Sequence, residues 1–214
     1  MIQLENQPPY RFISNKDIQE ASDDSPFYFV TQANPIFNNE EMKFLRDLAD
    51  KEAQPAGVYI DKTKSGESSS ESDYAHSDRR SHAVWLHQEQ FKWIYDRIWQ
   101  VALAVNKIYK INIDSFELAQ IAYYDEKESG HFDWHSDNGT TQMRRKLSIS
   151  IPLNDPSEYE GGDIHFNAGG KIVAPAQSLG KLIIFPSWVV HRVTPVTKGR
   201  RYSMVIWIHG PRWC

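Results

Sequence analysis

From residue 111 onward the chain is a succession of short apolar runs, each ended by residues that favour turns. The spacing of these runs predicts about eight short strands with no helix between them. The strands are expected at residues 116–124, 131–137, 146–153, 162–166, 171–174, 181–185, 188–194 and 200–208. Turn sequences such as Asn138-Gly139 and Gly161-Gly162 separate them. A series of this kind predicts a mainly β fold, a jelly roll or small barrel.

Two segments before this β-rich half carry helix signals. The first is residues 39–52, where Asn38 can cap the helix and Glu41 lies three residues later, as in a capping box. The second is residues 88–109, where apolar residues recur at three- and four-residue steps. We expect both helices to pack on one sheet. Residues 65–81, between them, are rich in serine and acidic residues, which predicts either a solvated loop or a substrate lid.

A chain of 214 residues has room for one domain. We interpret the polar, proline-marked residues 1–35 as an N-terminal extension and residues 36–214 as a single domain. The net charge of −4 gives no reason to expect a nucleic-acid or anionic-membrane partner, and a lone cysteine, Cys214, excludes an internal disulfide. Neither a membrane span nor a signal peptide is recognisable. These features favour a soluble cytoplasmic protein and leave its oligomeric state open.

The densest cluster of metal-binding residue types lies on the predicted strand at residues 131–137. Alternate residues of a strand share a face, and the polar face here carries His131, Asp133, His135 and Asp137. The aromatic residues between them, Phe132 and Trp134, are expected on the opposite face. A His-x-Asp pair joined by a distant histidine forms the two-histidine, one-carboxylate site that suits Fe(II). Periodicity alone allows either of the two His-x-Asp pairs.

The distant histidine is His191, which ends an apolar strand, and an arginine follows ten residues later at position 201. If the flanking strands form an antiparallel hairpin centred on Val196, His191 and Arg201 are cross-strand partners on one face. Arg200 then lies on the other face, although a slip of one residue would exchange the two arginines. An arginine beside the metal is suited to bind the far carboxylate of a bidentate acid.

These residues belong to a longer pattern that resembles a known family. The pattern comprises Ala119-Gln120-Ile121-Ala122-Tyr123-Tyr124, Gly130-x-Phe132-x-x-His135-x-Asp137, Tyr159-x-Gly161-Gly162-Asp163, Phe185-Pro186-Ser187, His191-x-Val193-x-Pro195-Val196 and Gly199-x-Arg201-Tyr202-Ser203. It is similar to the Fe(II)/2-oxoglutarate-dependent dioxygenases, and most closely to their prolyl 4-hydroxylase-like group, which includes bacterial PKHD-type hydroxylases. The resemblance covers roughly residues 36–208.

The resemblance implies a double-stranded β-helix, a cupin-like jelly roll, with a defined set of site residues. The implied iron ligands and catalytic residues are His135, Asp137 and His191. Arg201 is implied to bind the C5 carboxylate of 2-oxoglutarate, with Tyr124 and Ser203 as further cosubstrate-binding residues. Fe(II), 2-oxoglutarate, O₂ and ascorbate as a reductant are the implied cofactors and cosubstrates. The implied reaction is hydroxylation of an unactivated C–H bond in a peptidyl proline, another protein side chain or a free amino acid.

Two other functions stay open on the residues themselves. A cupin-like module that binds a metal or a sugar could use the same strands, but it does not need an arginine ten residues after His191. A metal-dependent hydrolase needs a general base beside the metal-bound water, for which the sequence offers Asp133 or His131.

Three tryptophans and two serines carry weaker expectations. The tryptophans, Trp134, Trp188 and Trp207, are candidates for the core, and Trp188 is also a candidate for a pocket wall. The serines, Ser148 and Ser150, share a face opposite that of their apolar neighbours, and they either line a cavity or face water.

Overall fold

The structure is a computed structural model that describes residues 18–20, 30–32, 34–56, 58–59, 74–75, 78–139 and 142–212. The helices are α1 (Asn39–Glu52) and α2 (Lys92–Tyr109), and short 3₁₀ helices lie at Glu126–Glu128 and Pro156–Glu158. The strands are β1 (Ile18–Glu20), β2 (Val30–Gln32), β3 (Gln54–Ala56), β4 (Val58–Tyr59), β5 (Tyr74–Ala75), β6 (Arg79–Leu86), β7 (Ser115–Phe116), β8 (Ala119–Asp125), β9 (His131–His135), β10 (Arg145–Pro152), β11 (Tyr159–Gly161), β12 (Ile164–Ala168), β13 (Lys171–Val173), β14 (Ile183–Pro186), β15 (His191–Val193) and β16 (Val196–His209). Within these residues, no helix is long and apolar enough to cross a membrane.

Both predicted helices form, and α1 has the predicted cap. The Asn38 side chain accepts a hydrogen bond from the Glu41 amide at 2.8 Å, and the Glu41 carboxylate accepts one from the Asn38 amide at 2.9 Å. Arg97 of α2 donates two further hydrogen bonds to this carboxylate, at 2.6 and 2.7 Å, and ties the two helices together. The second helix begins at Lys92 rather than at residue 88, because residues 88–90 form a turn.

The strands form a curled antiparallel sheet with two walls. We call the wall β2-β14-β10-β16-β8-β6 the major sheet and the wall β6-β9-β15-β12-β13 the minor sheet. Strand β6 belongs to both, because residues 82–86 pair with β8 while residues 79–80 pair with β9. This is the predicted double-stranded β-helix, and it brings distant strands to either side of one cavity.

Alternation along the major sheet separates a helix-facing side from a cavity-facing side. On β10, Leu147, Ile149 and Ile151 join the hydrophobic cluster formed with α1 and α2. The alternate residues Ser148 and Ser150 are buried on the side that faces the minor sheet. The helices therefore pack on one sheet as expected. Ser150 lines the cavity and Ser148 is fully buried, so neither serine faces water.

Several boundaries differ from the sequence prediction. The predicted strand at 162–166 is observed as β12, which begins at residue 164, and an additional short strand, β11, precedes it. Gly161 and Gly162, with positive φ of 76° and 68°, interrupt the extended chain between the two strands. Strands β1 and β2 lie within the predicted N-terminal extension, and β2 pairs with β14. Most of the predicted loop at 65–81 lies outside the described residues, and its C-terminal end forms the start of β6.

Candidate metal centre

Strand β9 does not keep the simple alternation that its sequence predicts. His135 pairs with His191 and Phe132 pairs with Val193, so β9 has one residue more than β15 between these two pairs. This β-bulge leaves Asp133 and Trp134 exposed and turns both Phe132 and His135 towards the space between the sheets. The prediction that Phe132 faces away from His135 is therefore wrong, because the extra residue reverses the alternation within the strand.

The bulge also separates the two His-x-Asp pairs that periodicity left equivalent. One ligand atom from each of His135, Asp137 and His191 lies within 4.8 Å of the other two. The Asp137 carboxylate lies 3.7 Å from the Nε2 atoms of both histidines. Asp133 is exposed on the bulge, and the Nδ1 atom of His131 is hydrogen-bonded to a backbone carbonyl. Of the candidate ligands, His135, Asp137 and His191 are therefore brought together.

Both histidines of this cluster are oriented by backbone carbonyls. Nδ1 of His135 donates to the Asp133 carbonyl at 2.7 Å, and Nδ1 of His191 donates to the Val189 carbonyl at 3.0 Å. A proton held on Nδ1 leaves the lone pair on Nε2, the atom that points at Asp137. Burial, followed by the charge of His191, lowers the pKa of His135 to about 3. Its neutral form, which is the form that binds a metal, therefore prevails at neutral pH.

The carboxylate of the cluster has its own hydrogen-bond donor. Asp137 is buried, and its Oδ2 atom accepts a 2.6 Å hydrogen bond from Ser148, which in turn lies 3.0 Å from the Ser187 hydroxyl. Burial opposes ionisation, but the charges of His191 and His135 and the hydrogen bond from Ser148 hold the pKa of Asp137 below its usual range. Two imidazole nitrogens and one ionised carboxylate form a donor set that fits Fe(II).

Arg201 lies on the major sheet and reaches the same cavity. Its side chain is only 1% exposed, yet its hydrogen-bond partners are the neutral Ser203 hydroxyl at 3.0 Å and the neutral Gln177 side chain at 3.1 Å. Tyr124, its Cα partner on β8, places its ring 5.5 Å from the guanidinium carbon. A buried cation is costly without an anion, and no described carboxylate pairs with this one. The site is therefore suited to an anionic ligand.

Arg200, the neighbouring residue on β16, points the other way. It bonds to Asp125 at 2.7 Å and to Asp50 at 2.8 Å on the helix side of the major sheet. The predicted hairpin between the strands of His191 and Arg201 does not form, since β15 pairs with β9 and β12 whereas β16 pairs with β7, β8, β10 and β11. His191 and Arg201 thus approach the cavity from opposite sheets.

Three neighbours of Arg201 have roles that the sequence analysis does not predict. The Gln177 side chain bonds its guanidinium, and Gly162 makes room for it, since a Cβ there would lie 2.7 Å from Arg201 Cδ. The Tyr159 hydroxyl is buried beside Arg201 and makes no hydrogen bond of normal geometry to a described residue. Burial raises the pKa of Tyr159, which keeps its proton available for donation. The Tyr159-x-Gly161-Gly162 motif could have indicated Tyr159 and Gly162, whereas no motif in the sequence includes Gln177.

The tryptophans divide between core and surface. Trp207 is 5% exposed and lines the cavity, whereas Trp134 is 36% and Trp188 47% exposed. The expectation that the latter two belong to the core is wrong. Trp134 lies in the bulge of β9, where its ring contacts the Arg192 guanidinium 4.7 Å from the ring centre, and Trp188 lies in the turn after β14.

Comparison with known proteins agrees with this geometry. Residues 119–209 match the model of the 2OG-Fe(II) oxygenase superfamily. A PKHD-type hydroxylase from Hyphomonas neptunium is 35% identical over 88 residues, which cover 39% of this chain and 39% of that protein. A PKHD-type hydroxylase from Pseudomonas fluorescens is 28% identical over 134 residues, covering 57% of this chain and 55% of that protein. The chain thus spans less than two thirds of the length of these curated relatives.

Solved structures share the fold. A prolyl 4-hydroxylase from Pseudomonas putida superposes with a TM-score of 0.66 at 19% identity, covering 86% of this chain and 94% of that one. A Trichoplax adhaerens prolyl hydroxylase, in complex with a hypoxia-inducible-factor peptide fragment, gives a TM-score of 0.63 at 15% identity and covers 85% and 83% of the two chains. These structures confirm the predicted fold, and together with it the family model and the PKHD-type relatives confirm the resemblance inferred from the sequence.

Proposed function

Since residues 119–209 match the model of the 2OG-Fe(II) oxygenase superfamily, we propose that the protein is an Fe(II)- and 2-oxoglutarate-dependent dioxygenase that hydroxylates an unactivated C–H bond. One observation carries the proposal. A single cavity contains two polar groups of residues. One is a cluster of two histidines and a carboxylate, and the other is a buried arginine whose described hydrogen-bond partners are neutral. The first arrangement suits iron, and the second suits a dicarboxylate cosubstrate.

His135, Asp137 and His191 are the residues that hold the metal in this proposal. Hydrogen bonds from Nδ1 orient the two imidazoles, and the Ser148 hydroxyl orients the carboxylate, so the three donors are in place before a metal arrives. When bound with 2-oxoglutarate and O₂, iron supplies the oxidising chemistry that C–H hydroxylation needs. Ascorbate is proposed as the reductant that keeps the iron ferrous.

Arg201 is the residue that binds the C5 carboxylate of 2-oxoglutarate. Ser203 and Gln177 hold the guanidinium in position by accepting hydrogen bonds at 3.0 and 3.1 Å. The free face of the fork can then donate to a carboxylate in the cavity. Tyr124 lines the cavity beside the arginine and makes a second wall for the cosubstrate.

The substrate in this proposal is a peptidyl proline, another protein side chain or a free amino acid. Similarity to PKHD-type hydroxylases and to structures of prolyl hydroxylases supports an amino-acid or peptide substrate. A hydrolase is disfavoured, because Asp137 is the one carboxylate among the described residues that line the cavity and it already belongs to the metal cluster. No other acid there is free to act as a general base.

The test is anaerobic addition of Fe(II) and 2-oxoglutarate to the purified protein. We expect a weak visible charge-transfer absorption in the wild type, and its loss in Asp137→Ala and His191→Ala. Asp133→Ala is the matched control, because this carboxylate lies on the same strand but is exposed. Absence of the band in the wild type, with iron bound, would favour a cupin-like binding module instead.

A further inference from the structure

A second arginine faces the cavity from the minor-sheet side. Arg79 is the first residue of β6, and its Cα partner on β9 is Phe132. The Phe132 ring contacts the Arg79 guanidinium, 5.0 Å from the ring centre, and also stacks on the His135 imidazole with ring centres 3.5 Å apart. Arg79 is therefore separated from a proposed iron ligand by a single aromatic ring, and it lines the same cavity.

Among the described residues, the hydrogen-bond partners of Arg79 are neutral. Its Nε atom donates to the Ser81 hydroxyl at 2.8 Å, and its Nη2 atom donates to the Gln120 side-chain oxygen at 3.3 Å. These contacts hold the guanidinium in place without compensating its charge. Arg80, the next residue, is exposed, and its guanidinium donates to the Glu128 carbonyl at 3.4 Å on the outside of the sheet.

The charge of Arg79 has no counterpart among the described residues when Fe(II) and 2-oxoglutarate are bound in the cavity. The formal charges of Fe(II), Asp137, 2-oxoglutarate and Arg201 cancel, and the other described residues that line the cavity are neutral apart from Arg79. In this partly buried site, no residue of the described ranges therefore compensates the positive charge of Arg79. A peptide carbonyl could accept a hydrogen bond from Arg79 but could not neutralise it, whereas a carboxylate does both and matches the planar fork.

We propose that Arg79 binds a carboxylate of the primary substrate. This inference rests on the proposed function and narrows its substrate classes. It favours a free amino acid or the C-terminal residue of a peptide, which share an α-carboxylate, over an internal residue whose backbone groups are neutral.

The test measures substrate binding separately from cosubstrate binding. The protein is first loaded with Zn(II), which is redox-inert, and 2-oxoglutarate, and the affinity for 2-oxoglutarate is recorded by calorimetry. A panel of free amino acids and N-acetylated tripeptides is then titrated, each member as the carboxylate and as its carboxamide. We expect the best carboxylate to bind at least about tenfold more tightly than its carboxamide, as for a charge-assisted pair. Comparing free amino acids with tripeptides identifies the source of the carboxylate.

Variants connect this preference to one side chain. Arg79→Gln is expected to abolish the carboxylate preference and to leave the affinity for 2-oxoglutarate unchanged. Arg79→Lys keeps the charge without the fork and is expected to retain part of the preference. Arg80→Gln makes the same charge change at the adjacent, outward-facing position, and it is expected to behave as the wild type.

The failures of the two proposals are distinguishable. If 2-oxoglutarate does not bind the zinc-loaded wild type, the proposed function itself is wrong. If 2-oxoglutarate binds but no carboxylate on the panel does, if carboxamides bind equally well, or if Arg79→Gln keeps the preference, Arg79 is not a substrate carboxylate site.

Discussion

The two polar clusters of the cavity differ in how the chain completes them. In the metal cluster, formed by His135, Asp137 and His191, each side chain is oriented by a hydrogen bond within the chain: the histidines donate to backbone carbonyls, and the carboxylate accepts from a serine. In the arginine cluster, formed by Arg201 with Ser203 and Gln177, the hydrogen bonds are present but the charge has no counterpart among the described residues. The protein itself thus fixes the orientation of all three side chains of the metal cluster. The arginine cluster is incomplete in charge among the described residues, as is expected of a site that binds an anion.

The largest effects should follow from removing a ligand of the metal cluster. His135→Ala, Asp137→Ala and His191→Ala are each expected to abolish Fe(II) binding or turnover while leaving the fold intact, since the remaining two ligands cannot hold the metal tightly. Iron content and succinate release measure the loss, and circular dichroism checks the fold. Full succinate release by Asp137→Ala, together with its loss in Asp133→Ala, would mean that the wrong His-x-Asp pair has been assigned.

The next largest effect is a difference in 2-oxoglutarate affinity between variants of the two adjacent arginines of β16. Arg201→Ala removes a buried charge-assisted pair, which costs on the order of 2–5 kcal/mol and should weaken 2-oxoglutarate binding tens-fold or more. Arg200→Ala should leave that affinity unchanged, because Arg200 bonds to Asp125 and Asp50 on the other side of the sheet. Calorimetric titration of 2-oxoglutarate compares the two variants. Equal losses would contradict the assignment of Arg201 as the cosubstrate anchor.

A smaller effect is expected from the hydroxyl that orients Asp137. Ser148→Ala should lower metal affinity about 10–100-fold, the range found when a partner of a metal ligand is lost. Ser150→Ala is the matched control, since Ser150 lies two residues away on the same cavity-facing side of β10. Competition against a metal-binding dye measures both affinities. A similar loss in the two variants would indicate general damage to the strand rather than loss of the hydrogen bond to Asp137.

The smallest effect concerns the buried hydroxyl beside Arg201. Tyr159→Phe removes a polar atom that has no partner of normal geometry in the described structure, so the melting temperature without cosubstrate should be unchanged or higher. If this hydroxyl donates to the bound cosubstrate, 2-oxoglutarate binding should weaken about fivefold, the value of one net hydrogen bond. Tyr202→Phe is the control, because its hydroxyl bonds to Asp50 at 2.6 Å away from the cavity. An unchanged affinity in Tyr159→Phe would exclude this hydroxyl from the cosubstrate site.

Features that depend on neighbours in the chain were predictable from the sequence. The capping box at Asn38 and Glu41 and the series of short strands after residue 111 depend on local hydrogen bonding and on the alternation of apolar side chains. The resemblance to the 2-oxoglutarate dioxygenases also came from motif spacing, and it named the residues that the structure brings together at the metal cluster.

Features that depend on pairing between distant strands were decided by the tertiary structure. The bulge in β9 forms because β15 has one residue fewer between the two Cα pairs that join these strands. As a result, His135 rather than Asp133 lies in the cavity. Arg201 reaches the cavity through pairing with β8, not through the local hairpin that its sequence suggested. Ser148, Gln177 and Arg79 acquire their roles from residues at least 11 positions away in the chain. No local pattern encodes such contacts, because they depend on the register of strands that meet only when the sheet curls.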